Sequence, residues 1–159
     1  MNKQQEILFN HAYEKYSLLL LKTIHMYIQD DSECEDILQE VFLTLLLKNP
    51  KFKSEEHKRN WLLRVAINKS KDYHRSFWKK NIEVTEKQTE LVSDEKEAEI
   101  QGYIDALPKK YRDVIILHYF FGYSVKEVSE ILRIGESSVK MRLSRARSKI
   151  RIDMEDGDR

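Results

Sequence analysis

The sequence predicts an all-α protein: two small helical domains, an N-terminal helical bundle and a C-terminal helix-turn-helix domain, joined by a flexible acidic linker. Three observations carry that expectation. Apolar residues recur at helical spacing, beginning with Phe9, Tyr13, Tyr16 and Leu20 at i, i+4, i+7 and i+11. Only 4 Gly and 2 Pro occur in 159 residues, too few for the many tight turns of a sandwich or barrel. Between Asn81 and Ser93 the periodicity gives way to Glu, Thr, Lys, Gln and Ser, the composition of a solvated tether. The expected boundaries are residues 1–80 for the first domain, 81–93 for the linker and 94–159 for the second.

In order along the chain, the first helix runs to about Ile28, where Asp30, Asp31 and Ser32 interrupt it. A second, about Glu33 to Lys48, carries Ile37, Leu38, Val41, Phe42 and Leu45; Asn49-Pro50 closes it, because the residue before a proline avoids the α region. A third begins near Glu55 and passes through Trp61, Leu62, Val65, Ala66 and Tyr73 to about Lys79. Their three apolar faces can bury one another as a bundle, with Trp61, Val65 and Tyr73 expected in the core. Beyond the linker, Ile100, Ile104 and Leu107 restore the helical period, and Pro108 suits the start of a fresh helix. Ser124 and Glu127 read as a capping box in front of a short helix, Val125 to Leu132. The run Arg133-Ile134-Gly135-Glu136 is a tight connection to a longer helix from Ser137 to about Ile152, which is a helix-turn-helix layout.

Composition excludes whole classes. With 35% charged and 41% hydrophobic residues, the chain is neither collagen-like nor disordered. A single cysteine, Cys34, cannot form an internal disulfide or complete a four-cysteine zinc site, so a cytoplasmic setting is expected. Met1 to Glu14 lacks the features of a signal peptide, and no apolar run approaches about 18 residues, so neither export nor membrane insertion is expected.

The net charge of +1 conceals a strong alternation. Residues 1–47 hold 3 Lys+Arg against 8 Asp+Glu, and residues 48–80 hold 11 against 3. Residues 81–106 hold 2 against 8, and residues 107–159 hold 12 against 8. Basic segments of this kind suit a polyanion, and the acidic ones another partner.

The last helix gives the clearest functional pattern. At about 100° per residue, Val139, Leu143, Ala146 and Ile150 form one buried stripe. Ser137, Met141, Ser144 and Ser148 lie opposite, flanked by Lys140, Arg145 and Arg151. Small hydroxyls and a flexible thioether allow close approach to base edges, while the flanking cations can bond phosphate or guanine. The face suits a major groove. On the second helix, Asp36, Gln39 and Glu40 share a side away from Val41 and Leu45. That stripe reads either as a solvated face or, with Asp30, Asp31, Glu33 and Glu35, as ligands for a hard cation. The third helix interleaves cations with rings and an amide, a pattern that fits single-stranded nucleic acid. Asn68, Lys71, Arg75, Lys79 and Lys80 are its solvent-facing members.

These stretches together resemble the extracytoplasmic-function (group 4) sigma factors of bacterial RNA polymerase, over nearly the whole chain. Glu35-Asp36-Ile37-Leu38-Gln39-Glu40-Val41-Phe42 is similar to the family's polymerase-binding helix, and Asn60-Trp61-Leu62-Leu63-Arg64-Val65-Ala66-Ile67-Asn68 to its promoter −10 segment. Leu107-Pro108-Lys109-Lys110-Tyr111-Arg112 and Ser138-Val139-Lys140-Met141-Arg142-Leu143-Ser144-Arg145-Ala146-Arg147 are similar to its −35 domain. The resemblance implies that Asp36, Gln39, Glu40 and Phe42 dock on core RNA polymerase. It implies that Asn68 receives a flipped base of the −10 element, and that Lys71, Arg75, Lys79 and Lys80 follow the separated strand. It also implies that Ser137, Lys140, Met141, Ser144 and Arg145 meet promoter DNA at −35. Ser137, Ser138 and Met141 depart from the family's usual Gly, Thr and small residue, which bears on the preferred −35 sequence. An anti-sigma factor is implied as a regulatory partner, with no cofactor, no metal and no catalytic residue. Two rival expectations are a stand-alone regulator using only the helix-turn-helix and a metal-dependent nuclease with ligands between Asp30 and Glu40.

Overall fold

The computed structural model describes residues 1–80 and 95–157, with side chains described for 1–73 and 99–156. The expected linker, 81–93, lies outside the described residues. Every regular element among the described residues is helical: α1 (Lys3–His25), α2 (Asp31–Lys48), α3 (Glu55–Lys80), α4 (Glu95–Asp105), α5 (Lys109–Ile115) running into a π turn (Ile116–Phe120), α6 (Val125–Leu132) and α7 (Glu136–Gly157). The chain divides into two compact units, Met1–Thr89 and Glu90–Arg159.

In the first unit each helix of the bundle is bounded by a local device. Asn2 opens α1 with a reciprocal box: its side-chain oxygen accepts from the Gln5 amide at 2.8 Å, and the Gln5 side chain accepts from the Asn2 amide at 3.1 Å. The helix ends at His25 rather than Ile28. There Met26 donates to the Thr23 carbonyl and Tyr27 to the Ile24 carbonyl, tightening the last turn, while Tyr27 and Ile28 stay buried. The Asp30 carboxylate then accepts from the Glu33 amide at 3.1 Å, so α2 starts two residues earlier than its apolar pattern alone indicates. Asn49 closes α2 in the left-handed region at φ 42°, which asparagine tolerates better than most residues, and Pro50 follows.

All three helices contribute to the core: Leu20 and Ile24 from α1, Val41 and Leu45 from α2, Leu62, Leu63 and Ile67 from α3. Each such side chain contributes about 1.5 to 3 kcal/mol through removal from water. Trp61, Val65 and Tyr73 are half-buried rather than core; Trp61 packs edge-on against Phe52 with ring centres 5.7 Å apart. Glu55 staples α1 to the start of α3. Its carboxylate accepts from the Tyr16 hydroxyl at 2.7 Å and from Lys58 Nζ at 2.9 Å. The bonds from Lys58 and then Tyr16 hold its pKa down at about 2.

In the second unit, α5 and α6 cross α7 over a core of Ile104, Leu107, Val114, Ile116, Leu117, Val128, Ile131, Val139, Leu143 and Ala146. Arg112 is buried and donates from Nη2 to the Asp105 carbonyl at 2.6 Å and to the Leu107 carbonyl at 3.3 Å, tying the end of α4 to α5. The capping box at Ser124 and Glu127 is formed in both directions, at 3.1 and 3.2 Å. Two features were not signalled by the sequence. The α5 helix widens into the π turn, with Phe121 donating to the Ile116 carbonyl at 3.2 Å. In the helix-turn-helix connection the left-handed residue is Arg133, at φ 56°, one place after Leu132, while Gly135 precedes α7. The Ser129 hydroxyl secures that turn by donating to the Ile134 carbonyl at 2.5 Å.

Candidate functional site

On the first unit, Asp36, Gln39 and Glu40 are all exposed on α2, and Cys34, Ile37, Leu38 and Val41 fill its inner side. The exposed side is not purely polar. Leu43 is 53% exposed and Leu47 76%, and a groove of about 830 Å³ runs between α1 and α2, lined by Phe9, Tyr13, Leu18, Leu38, Gln39 and Phe42. Phe42 is only 2% exposed; its ring lies 5.6 Å from that of Phe9 and 5.1 Å from that of Tyr13. It therefore forms the groove's floor, whereas Gln39 stands on its lining and Asp36 and Glu40 remain in solvent.

The acidic residues between Asp30 and Glu40 do not converge: no cluster of three His, Cys, Asp or Glu side chains among the described residues is placed to hold a metal ion. Asp30 caps α2, Asp31 lies 3.2 Å from His25 Nε2, and Glu33 is hydrogen-bonded to Tyr73. Burial and that bond push the Tyr73 phenol above its usual range. Cys34 points inward, its thiol 3.1 Å from the Ile28 carbonyl and 3.4 Å from His25 Nδ1. Burial first, then Asp31, Asp30, Glu33 and Glu35, push its pKa up to about 12. The thiol is protonated and inert at neutral pH.

On α3, Asn68 is exposed, whereas Lys71 is half-buried and engaged with neighbouring groups. The backbone of Arg75, Lys79 and Lys80 continues the same helix, and their side chains lie outside the described residues.

On α7 the division between the two sides is sharp. Val139, Leu143 and Ala146 are buried, while Ser137, Lys140, Met141, Ser144 and Arg145 are all exposed, Met141 at 45%. Ser148 and Arg151 extend the same exposed side. One arginine partner escaped the sequence reading. The Arg147 guanidinium donates to the Tyr119 hydroxyl at 2.6 Å. Arg145, ahead of the charge of Lys110, lowers the Tyr111 pKa below its ordinary value. Tyr119 and Arg147 are 28 residues apart, a spacing that by itself does not signal the contact.

A three-helix bundle with an acidic and apolar outer face, followed by a helix-turn-helix unit with a serine and arginine face, defines a DNA-binding protein that also docks on another protein. The family model for sigma-70 region 2 matches residues 12–80, and that for sigma-70 region 4 matches residues 97–150. The ECF RNA polymerase sigma factor SigX of Bacillus subtilis (strain 168) is 30% identical over 162 residues, covering 92% of this chain and 84% of that relative. The RNA polymerase sigma factor SigZ of the same organism is 33% identical over 140 residues, covering 82% and 78%. The chain belongs to the extracytoplasmic-function RNA polymerase sigma factors, non-catalytic subunits that direct the polymerase to promoters. In fold it is similar to CnrH, solved in complex with the cytosolic domain of CnrY, with a TM-score of 0.72 at 20% identity over 95% of this chain and 90% of that one. It is likewise similar to RpoE of Bartonella quintana, solved with the anti-sigma factor NepR, with a TM-score of 0.70 at 17% identity over 92% and 96%. Among the described residues no helix is long and apolar enough to cross a membrane.

Proposed function

We propose that the two units divide promoter recognition between them, with residues 1–80 engaging polymerase and the −10 element, 81–93 acting as the tether and 94–159 reading the −35 element. The exposed acids Asp36 and Glu40, with Gln39 and the Phe42-floored groove, dock on core RNA polymerase. The serine and arginine face of α7 enters the major groove at −35, where Ser137, Lys140, Met141, Ser144 and Arg145 meet base edges and phosphates. Asn68 receives a flipped base of the −10 element, and Lys71, Arg75, Lys79 and Lys80 follow the separated strand. Capture of that base offsets an unstacking cost of a few kcal/mol.

The single observation that carries the reading is the partition of α7. All five residues assigned to DNA are exposed on one side, and Val139, Leu143 and Ala146 are sealed beneath them. The groove beside the acids of α2 supports a protein partner there over a merely solvated face. Two relatives of the same fold are solved with a bound protein, one of them the anti-sigma factor NepR, which supports an anti-sigma partner for this chain in the cytoplasm. Run-off transcription with core polymerase and a genomic template library tests the whole reading: specific transcripts are expected only when this protein is added. Tight specific binding to a duplex without polymerase, seen as an electrophoretic shift, would instead make it a stand-alone regulator.

A further inference from the structure

Serine and threonine inside a helix ordinarily turn the hydroxyl back onto the carbonyl of the preceding turn. Thr23, Thr44 and Ser70 do so at 2.8, 2.8 and 2.7 Å, onto Leu19, Glu40 and Ala66, and Ser17 bonds the Tyr13 carbonyl in the same way. Ser129 in α6 does the opposite. Its hydroxyl reaches forward, out of its own helix, and donates to the Ile134 carbonyl at 2.5 Å. Its own carbonyl accepts from the Arg133 amide and, at 3.2 Å, from the Ile134 amide. Both backbone polar groups of Ile134 are thus held by one half-buried residue.

The clamp sits on the joint between α6 and α7. Arg133 occupies the left-handed region at φ 56°, which an arginine adopts less readily than a glycine, so bonds rather than intrinsic preference hold the turn. The helices α1, α2 and α6 each open on a side-chain cap, from Asn2, Asp30 and Ser124. The start of α7 follows Gly135, whose carbonyl accepts from the Val139 amide at 3.1 Å and which has no side chain to cap with. The direction of α7 is therefore set from α6.

We propose that Ser129 is a positioning residue for promoter reading: by gripping Ile134 it fixes how α7 leaves α6, and hence where Ser137, Lys140, Met141, Ser144 and Arg145 stand over the DNA. The inference rests on the assignment of that face to the −35 element made above. Hydrogen bonds to base edges weaken steeply when their angle is wrong, whereas the attraction of cations to the phosphate backbone carries no sequence information. Releasing the clamp alters no charge. It should cost sequence preference and spare non-specific attraction.

The test uses holoenzyme reconstituted from the full chain and a bacterial core RNA polymerase, presented with duplex DNA randomised over the upstream hexamer. Two quantities are read: the preference for the best hexamer over the pool average, and the affinity for the pool average itself. Ser129→Ala should lower the preference about threefold to tenfold, the range of one hydrogen bond, and leave the pool affinity and its salt dependence at the wild-type level. Ser129→Thr keeps the hydroxyl and should keep the preference. Ile131→Val trims the buried core of α6 without touching the bonds of the joint, and it should keep the preference as well. An unaltered preference in Ser129→Ala, while Arg145→Ala loses it, overturns the positioning role alone. So does an equal loss in Ser129→Thr, which removes the hydroxyl from the explanation, or in Ile131→Val, which reveals general loosening of the second unit. A pool affinity that falls in step with the preference in Ser129→Ala overturns it too, because unfolding then accounts for both. If Arg145→Ala leaves the preference flat, the −35 reading of α7 falls and the role of Ser129 with it.

Discussion

The exposed sides of α2 and α7 are built from the same helical arithmetic and end in opposite chemistry. On α2 the outward residues are Asp36, Gln39 and Glu40, continued by Leu43 and Leu47 and bordered by an apolar groove. On α7 they are Ser137, Lys140, Met141, Ser144 and Arg145, with small hydroxyls at the centre and cations at the edges. Apolar groups beside carboxylates gain by leaving water against a protein surface, and the charges steer the encounter. Hydroxyls and guanidinium groups gain from base edges and phosphates, and a carboxylate among them would be repelled by the phosphates. Glu136, at the very start of α7, is the only acid there up to Ile152.

The contrast can be broken most severely on α2. Reversing both acids, Asp36→Arg with Glu40→Arg, should weaken association with core polymerase on the order of a hundredfold while the helical circular-dichroism spectrum is retained; unchanged co-purification would remove α2 from the docking surface. On α7, Arg145→Ala should cost about 1 to 3 kcal/mol at the cognate promoter if a base edge is bonded. If only phosphate is touched, the loss is smaller and uniform across sequences, and the slope of log affinity against log salt falls by about one. A smaller effect separates the −10 segment from both faces. Asn68→Ala should reduce open-complex formation, followed by permanganate footprinting, about fivefold while −35 engagement stays intact; equal loss of both steps would point to misfolding.

The smallest effect concerns the bundle that presents α2. The Glu55 carboxyl is held at about 2 in the folded protein, against 4.5 when unperturbed. Its bonds to Lys58 and Tyr16 therefore contribute fully above about pH 4.5, and the contribution is lost as pH falls toward 2. Half of the side chain is exposed, so solvent screening keeps the effect modest. Thermal melts of Glu55→Gln should show a shallower decline than wild type between those pH values; parallel curves would dissociate Glu55 from acid sensitivity.

Much of this was legible in the chain because helices announce themselves by period and cap. The apolar stripes, the capping box at Ser124 and Glu127 and the stop at Asn49-Pro50 are local, and the outer face of α7 follows by subtraction from its inner one. What depends on neighbours distant in sequence was not legible. Phe42 sits in the floor of a groove because Phe9 and Tyr13 of α1 close around it. Trp61 and Val65 are half-buried, although their apolar spacing on α3 is that of core positions. The π turn at Ile116–Phe120 leaves no periodic trace, and the Tyr119 contact with Arg147 needs the packing of that segment on α7. At the helix-turn-helix connection a glycine was at hand in Gly135, yet the backbone spends its left-handed residue on Arg133.

The two carbonyl bonds of Arg112 give the second unit a dependence on side-chain shape that charge alone does not meet. A guanidinium is a rigid fork of N–H groups, and one of its nitrogens can serve the Asp105 and Leu107 carbonyls together. A lysine ammonium is a compact point on a flexible stem and must be bent into place. Exchanging Arg112 for lysine therefore conserves charge and should still loosen the tie between the end of α4 and α5. The tie between α4 and α5 thus rests on a cation buried within the second unit rather than on its exposed face.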